Sequence, residues 1–316
     1  MSKDKSFEYY YILLRRKIIR PILNNEKLAC FISKHCLKTY LAMFYENWLG
    51  KRLDMRHPRD INEQLMRLSV EAKNDPVQHQ LRVLCADKNL VREYVTKKGM
   101  ADILIPSYGT HDSFDEIDFD KLPDRFVVQY NFGCGMIWIC KDKSTADIDK
   151  WRKRFAEWDR LDDFGLESGE WQYSEMPHKL VITKYLDSLG ATSVNDYKFH
   201  CMNGQVYGCL AITNRIVGTH HMNLDHYDLD WNLTDGIRPA WHTQYRKEVA
   251  KPTNYDRMLE VARTLSKDFP YCRVDLYEAD EQVYFGELTF TPQGNVMNYY
   301  TDEMLQDMLR FYNDTK

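Results

Sequence analysis

The chain has 316 residues, 44% of them hydrophobic and 13% aromatic, with Tyr at 21, Phe at 14 and Trp at 7. A composition so rich in large apolar side chains can bury a full core, which excludes general disorder. Lys and Arg number 43 against 47 Asp and Glu, a formal net charge of −4, and this balance argues against a nucleic-acid coat, which needs a basic face to displace counterions.

Residues 1–60 are patterned as helices, with Tyr9, Ile12, Leu13, Ile18 and Ile19 interrupted by Arg15, Arg16, Lys17 and Arg20. Residues 1–20 hold six Lys and Arg against Asp4 and Glu8, a local charge of +4. A basic amphipathic helix can lie on an anionic membrane surface. The plainer reading is a packing helix with a solvated basic edge. The run from Tyr9 to Leu14 is too short for a signal-peptide core, and no run approaches the ~18 apolar residues of a spanning helix. The eight cysteines (Cys30, Cys36, Cys85, Cys134, Cys140, Cys201, Cys209 and Cys272) are scattered and none forms CxxC, so zinc-ribbon and thioredoxin readings fail. The expectation is a reduced cytoplasmic protein, with contact at the inner face of the cytoplasmic membrane open through the basic helix.

Residues 61–100 are again helical in period: Leu65, Leu68, Leu81, Leu84, Leu90, Val91 and Tyr94 recur at three- and four-residue steps, with Gly99 as a C-terminal stop. At about residue 101 the texture changes. Ile103–Pro106, Phe126–Val128 and Ile137–Cys140 are short apolar runs bounded by Gly, Pro, Asn and Asp, and read as strands. A helix is predicted over 144–160, starting at Ser144. Strands follow near 180–186, 196–202 and 205–213, the last two joined by the hairpin signal Asn203-Gly204. A helix at 254–267 precedes strands at 271–278 and 282–290. Helices followed by antiparallel strands mixed with helices make an α+β pattern, not a doubly wound sheet.

Four constellations could carry chemistry. Asn131-Phe132-Gly133-Cys134-Gly135 lies between two strands, where glycines let the backbone approach a ligand and its N–H groups cradle a phosphate; glycines between strands are also ordinary turns. It is not a Walker A loop, since no GK[ST] occurs there. Asp275 and Glu287 sit among apolar residues on adjacent strands and could share a face. They would repel unless a cation lay between them, which suits Mg²⁺, or unless Arg273 pairs with one of them as a structural ion pair. Lys198, between Tyr197 and Phe199, is either one inward cation or a solvated lysine. Cys201, His200, His220 and His221 lack zinc spacing, and the stretch holding Arg215, His220, His221, Tyr227 and Asp228 reads as a substrate-facing loop. No GxSxG elbow is present, and Cys134 has no identifiable base.

Taken in order, these segments resemble the TupA-like branch of the ATP-grasp superfamily, named for a teichuronopeptide biosynthesis protein. The similarity runs from about Ile61 to about residue 300. It is carried by Ala86-Asp87-Lys88, Phe114–Pro123, Ile139–Ser144, Lys184-Tyr185-Leu186, Asp196-Tyr197-Lys198-Phe199, Tyr227–Asn232, Arg273-Val274-Asp275 and Phe285–Thr289. The resemblance implies two α+β subdomains with antiparallel sheets gripping ATP, over 101–183 and 184–316, behind a helical region at 1–100. It makes Gly133, Cys134 and Gly135 the flap over the phosphates, with Gln129, Asn131 and Lys141 around it. Lys184, Tyr185 and Leu186 become the adenine hinge and Asp187 a ribose contact. Lys198 and Arg273 would act on the phosphates and the acyl phosphate, and Asp275 and Glu287 would hold Mg²⁺. Two positions depart from the branch's pattern of Lys followed by Asn-His-x-Ser-Gly: Gln129 replaces the lysine at the first strand, and the flap reads Asn131-Phe132-Gly133-Cys134-Gly135. Thr289 stands where many ATP-grasp enzymes carry a metal-binding Asn, a departure the branch shares.

The function implied is an ATP-dependent carboxylate–amine ligase. It would join an amino acid or amine to a uronic acid or similar carboxylate through an acyl phosphate, in bacterial surface polysaccharide biosynthesis of the capsular or teichuronic type. The alternatives are a non-catalytic scaffold or a glycosyltransferase of the same pathway.

Overall fold

The computed structural model of the chain describes residues 7–161, 163–187, 193–216, 219, 221–239 and 248–316. Six helices come first: α1 (Phe7–Leu23), α2 (Glu26–His35), α3 (Leu37–Leu49), α4 (Ile61–Asn74), α5 (Pro76–Ala86) and α6 (Val91–Lys97). Their boundaries follow local chemistry. Asp60 caps α4 by accepting from the Glu63 N–H at 3.0 Å, and Asp75 caps α5 ahead of Pro76 in the first turn.

Strands β1 (Ser107–His111), β2 (Phe126–Tyr130), β3 (Ile137–Cys140) and β4 (Leu180–Lys184) form an antiparallel sheet in the order β1-β4-β2-β3, with α7 (Ile148–Trp158) inserted before β4. Strands β5 (Asp196–Met202), β6 (Gln205–Thr213), β7 (Asn223–Tyr227), β8 (Tyr271–Ala279) and β9 (Gln282–Thr289) form a second in the order β7-β6-β5-β8-β9. Helix α8 (Tyr255–Ser266) precedes β8, and α9 (Asp302–Asp314) follows β9. The α+β architecture is as expected.

Three expectations on elements are corrected. Ile103–Pro106 is not a strand: Ala101–Ile103 is a 3₁₀ turn, and Leu104 makes one isolated parallel bridge to Phe285. Pro106 has no N–H to give a ladder. The helix of 144–160 starts at Ile148, because Ser144 is spent on Asp142, to which its N–H and hydroxyl both donate, and Asp147 supplies the cap. The edge strands β1 and β7 carry too many polar residues to read as apolar runs; each pairs with one neighbour only, β4 and β6 respectively.

One apolar core holds the sheets together. Phe126, Val128 and Trp138 of the first sheet share a cluster with Phe199, Val274 and Leu288 of the second, with Met258 and Ala262 of α8, and with Cys85, Val91 and Tyr94 of the helical region. Thus α5 and α6 pack into the same core as both sheets. A second cluster sets α4 and α9 against the other face of the five-stranded sheet. A third joins α2 and α3 to Leu166 and Trp171 of the loop before β4, and to Val296 after β9. There Tyr40 donates its hydroxyl to the Glu167 carbonyl, and a Cβ on Gly169 would come within 2.4 Å of Leu41. All eight cysteines are unpaired, with only Cys36 and Cys134 exposed.

Candidate functional site

In β5, β6 and β8 the odd and even positions divide the labour. Tyr197, Phe199 and Cys201 face the α8 side of the sheet, leaving Asp196, Lys198 and His200 on the other. Register places Lys198 opposite Asp275. The β8–β9 hairpin turns on Asp280 and Glu281, both at positive φ (51° and 59°), and pairs regularly from Ala279↔Gln282 to Leu276↔Phe285. Then the register shifts, and Asp275 faces Glu287. Gly286 is the extra residue of this bulge, and a Cβ there would meet the Asp275 carbonyl at 3.0 Å and Tyr277 at 2.9 Å. Without the bulge Glu287 would stand opposite Val274, with its side chain on the far face.

The result is a compact charged cluster. Arg273 grips Asp275 with both Nε and Nη2 at 2.7 Å, and Nη2 also reaches Thr289 Oγ1 at 3.0 Å and Glu287 Oε1 at 3.4 Å. Lys198 Nζ donates to Asp275 and lies 2.8 Å from Asp196 Oδ2, which Arg215 approaches at 3.6 Å. Asp275 is fully buried and Lys198, Arg273 and Asp196 nearly so, whereas the Glu287 side chain is 32% exposed. Burial raises the Asp275 carboxyl, but Arg273 and then Lys198 outweigh it and hold the group well below the usual carboxylate range. Burial likewise opposes the Arg273 charge, and Asp275 overrides it. The Arg273 guanidinium thus lies between the two carboxylates.

The glycine segment bends back through Gly133 (φ 68°) and Gly135 (φ 77°). Its base is pinned by the Ala86-Asp87-Lys88 segment. Lys88 Nζ donates to the Gly133 carbonyl at 2.6 Å and its N–H to the Asn131 carbonyl at 2.9 Å. Asn131 is itself fully buried, its amide giving to Asp87 at 2.5 Å and to the Pro177 carbonyl at 3.0 Å while its oxygen accepts from the Lys179 N–H at 2.9 Å. Every polar atom of its side chain is thus bonded inside the protein. Cys134 is exposed at the tip. Its thiol is raised by desolvation, then by Glu287 and Glu170, which speaks against a thiolate nucleophile. Gln129 is half-buried on β2 between Ile137 and Val181. Lys141 is exposed beyond β3, and Lys143 is committed to the Phe119 and Leu122 carbonyls at 3.0 and 2.6 Å.

Residues 185–195 connect β4 of one sheet to β5 of the other. Leu186 is buried with Ala279 and Tyr284, Asp187 accepts from Arg125 at 2.7 Å, and the same guanidinium lies 5.1 Å over the Tyr185 ring. Lys184 reaches the hairpin turn at Asp280, 2.9 Å away. The substrate-loop assignments fare differently. Tyr227 is buried, stacked on Trp231 at 4.3 Å, and its hydroxyl accepts from the Val249 N–H at 2.8 Å, so it is a core residue. Asp228 braces its own turn, accepting from Asp230 and Asn232. His221 is exposed, bonded through its backbone to Ile216 and Thr219. His220 lies outside the described residues.

Two acidic partners escape sequence reasoning. Asp196 was legible in principle, two residues from Lys198 on the same strand face. Glu170 had no signal. It sits in the loop before β4, taking hydrogen bonds from Ser168 Oγ at 2.7 Å and Thr291 Oγ1 at 2.9 Å. Desolvation pushes its carboxyl up to about 7, against those two hydrogen bonds, and Glu287 adds to the rise.

Among the described residues, no three His, Cys, Asp or Glu side chains are grouped to hold a metal ion by themselves. The donor chemistry nonetheless fits Mg²⁺, which is usually bound by one or two carboxylates together with substrate phosphates. Asp275 and Glu287 are hard oxygen donors directly opposite each other, and Glu287 makes only long contacts, 3.4 Å to Arg273 and 3.3 Å to Thr289. Asp196 Oδ1 is buried without a hydrogen-bond partner, a second acceptor in a site otherwise saturated.

A family model described as TupA-like ATPgrasp matches residues 66–310. Curated protein sequences give no significant match. Among solved structures, D-alanine–D-alanine ligase from Bacillus anthracis aligns at 18% identity and a TM-score of 0.41, over 73% of this chain and 64% of that one. The L-amino acid ligase from Bacillus licheniformis aligns at 14% and 0.45, over 73% and 50%. The ATP-grasp ligase PsnB, complexed with minimal precursor, Mg and ADP, aligns at 13% and 0.40, over 90% and 72%. The chain thus spans less than two thirds of the length of the two bacterial ligases.

Proposed function

Since the chain belongs to the TupA-like ATP-grasp family, we propose that it is an ATP-dependent carboxylate–amine ligase. The observation that carries this reading is the single-faced cluster of Lys198, Arg273, Asp275 and Glu287. ATP supplies the phosphoryl group that activates an acid as acyl phosphate, from which an amine displaces phosphate. Asp275 and Glu287 would hold Mg²⁺, which when bound would supply charge neutralisation.

The chain's own residues would do the rest. Lys198 and Arg273 are fixed by Asp275, so their positive ends are oriented before any ligand arrives, and such preorganised cations favour charge that develops on transferring phosphoryl oxygens. The 131–135 segment would close over them and exclude water that would hydrolyse an acyl phosphate. Lys184, Tyr185 and Leu186 would meet the adenine through backbone groups, with Asp187 beside the ribose. Arg215, tied to Asp196 and only part-buried, would receive the acid substrate. We take that acid to be a uronic acid or similar sugar carboxylate and the product a modified surface polysaccharide or its precursor, by likeness to the branch.

One observation favours a second reading. Gln129 replaces the lysine expected near the nucleotide phosphates, which suits a scaffold that binds without turnover. ADP release measured across amino acids and uronic-acid glycans, with Mg²⁺ present, separates the two. The ligase requires ADP formation that depends on both an acid and an amine. Nucleotide binding without turnover across the panel favours the scaffold.

A further inference from the structure

Helix α1 carries apolar residues on two opposite faces. Ile12 and Ile19 are buried against the protein. Arg15 and Arg16 turn the same way, Nε of Arg15 donating to Glu46 at 3.0 Å and Nη2 of Arg16 to the Asn47 carbonyl at 2.7 Å. The basic residues at the middle of the helix therefore fasten it to α3.

At about 100° per residue the remaining positions fall on the outward side. There Leu13, Leu14 and Ile18 are 40%, 62% and 63% exposed, with exposed Lys17 among them, while Arg20, also exposed, donates from Nε to Asn47 Oδ1 of α3 at 3.4 Å. No acidic residue occurs between Glu8 and Glu26. Helix α2 adds Leu28 and Phe31, 41% and 61% exposed, with exposed Lys27 and Lys34. A helix apolar on both sides calls for a cover on each.

The sign of the charge selects the cover. A second copy docking through this face would bring Lys17, with Lys27 and Lys34 of α2, against like charges across a two-fold axis. An anionic bilayer surface meets them with opposite charge and takes leucine and isoleucine side chains into the headgroup boundary. We propose that the outward face of α1 docks in the plane of an anionic lipid bilayer. It would lie on the surface, since no helix among the described residues is long and apolar enough to cross.

The test is co-sedimentation of the full chain with vesicles of phosphatidylcholine alone, or mixed with phosphatidylglycerol, at low and high salt. Binding should require the anionic lipid and weaken with salt. The double variant Leu14→Glu, Ile18→Glu, at exposed positions that leave the fold intact by circular dichroism, should lose at least about tenfold in partitioning. A Lys17→Glu variant should lose a similar factor, since the reversal removes one attractive charge and adds a repelling one. Equal binding to neutral vesicles, unchanged binding of either variant, or no binding of the wild type overturns the proposal. So does a concentration-dependent dimer that Leu14→Glu dissociates.

Discussion

Asp275 and Glu287 face each other across one hairpin, yet the structure assigns them opposite burdens, and replacing each by its amide exposes the difference. Asp275 is fully buried and receives two 2.7 Å bonds from Arg273 and one from Lys198. In Asp275→Asn two nearly buried cations lose their common counter-charge, and an amide N–H₂ is turned toward at least one of them. Breaking a buried ion pair from one side typically costs about 3–5 kcal/mol. Glu287 is a third exposed, with contacts of 3.3 and 3.4 Å, so Glu287→Gln should change stability by less than about 1 kcal/mol. Urea denaturation reads the first quantity and ADP formation the second. Asp275→Asn should be strongly destabilised. Glu287→Gln should fold normally and lose ATP turnover, because its oxygens are the ones left for a cation. Equal destabilisation by both variants would refute this division, as would full turnover in Glu287→Gln.

Gln129→Lys should tighten ATP binding by ten- to a hundredfold, about 1.5–3 kcal/mol for a charge-assisted bond to phosphate; weaker binding by calorimetry would mean the lost charge is already replaced. Glu170 has its carboxyl raised from 4.5 to about 7, so the folded state holds the proton more tightly and gains stability below about pH 4.5 that is lost as pH rises through 7. Between pH 5 and 8 the wild type should lose on the order of 2–3 kcal/mol that Glu170→Gln does not lose, and parallel urea midpoints for the two proteins would contradict the assignment. Gly286→Ala should cost about 1–3 kcal/mol and most of the activity, since its Cβ meets the Asp275 carbonyl at 3.0 Å; a fully active variant would show that the bulge tolerates a side chain.

Where local chemistry decides structure, the sequence reads plainly. Asn203-Gly204 forms the hairpin its dipeptide announces, both residues at positive φ (51° and 78°). The α+β order follows from runs and their punctuation. The charged cluster was half legible. Period-2 alternation puts Asp196 beside Lys198, but it would have separated Asp275 from Glu287 had Gly286 not inserted one residue into β9. A glycine inside a strand pattern was the only trace of that shift. Asn131 shows the converse. An Asn beside glycines after a strand suggests a ligand contact, and only the three-dimensional approach of Asp87, Pro177 and Lys179 reveals that its hydrogen bonds are used up. The stacking of Tyr227 on Trp231 and the turn braced by Asp228 likewise leave no mark on composition.

The loop that carries Glu170 is clasped from outside the sheets: Leu166 and Trp171 lie in the cluster of α2 and α3, Tyr40 holds the Glu167 carbonyl, and Gly169 leaves no room for a side chain against Leu41. For descent this means the N-terminal helices are not cargo. Recombination that joined them to another pair of sheets would succeed only if the segment before β4 and the stretch after β9 travelled with them. The three should therefore vary together among relatives, and a lineage that trimmed α2 or α3 would have to reshape the residues around Glu170 as well.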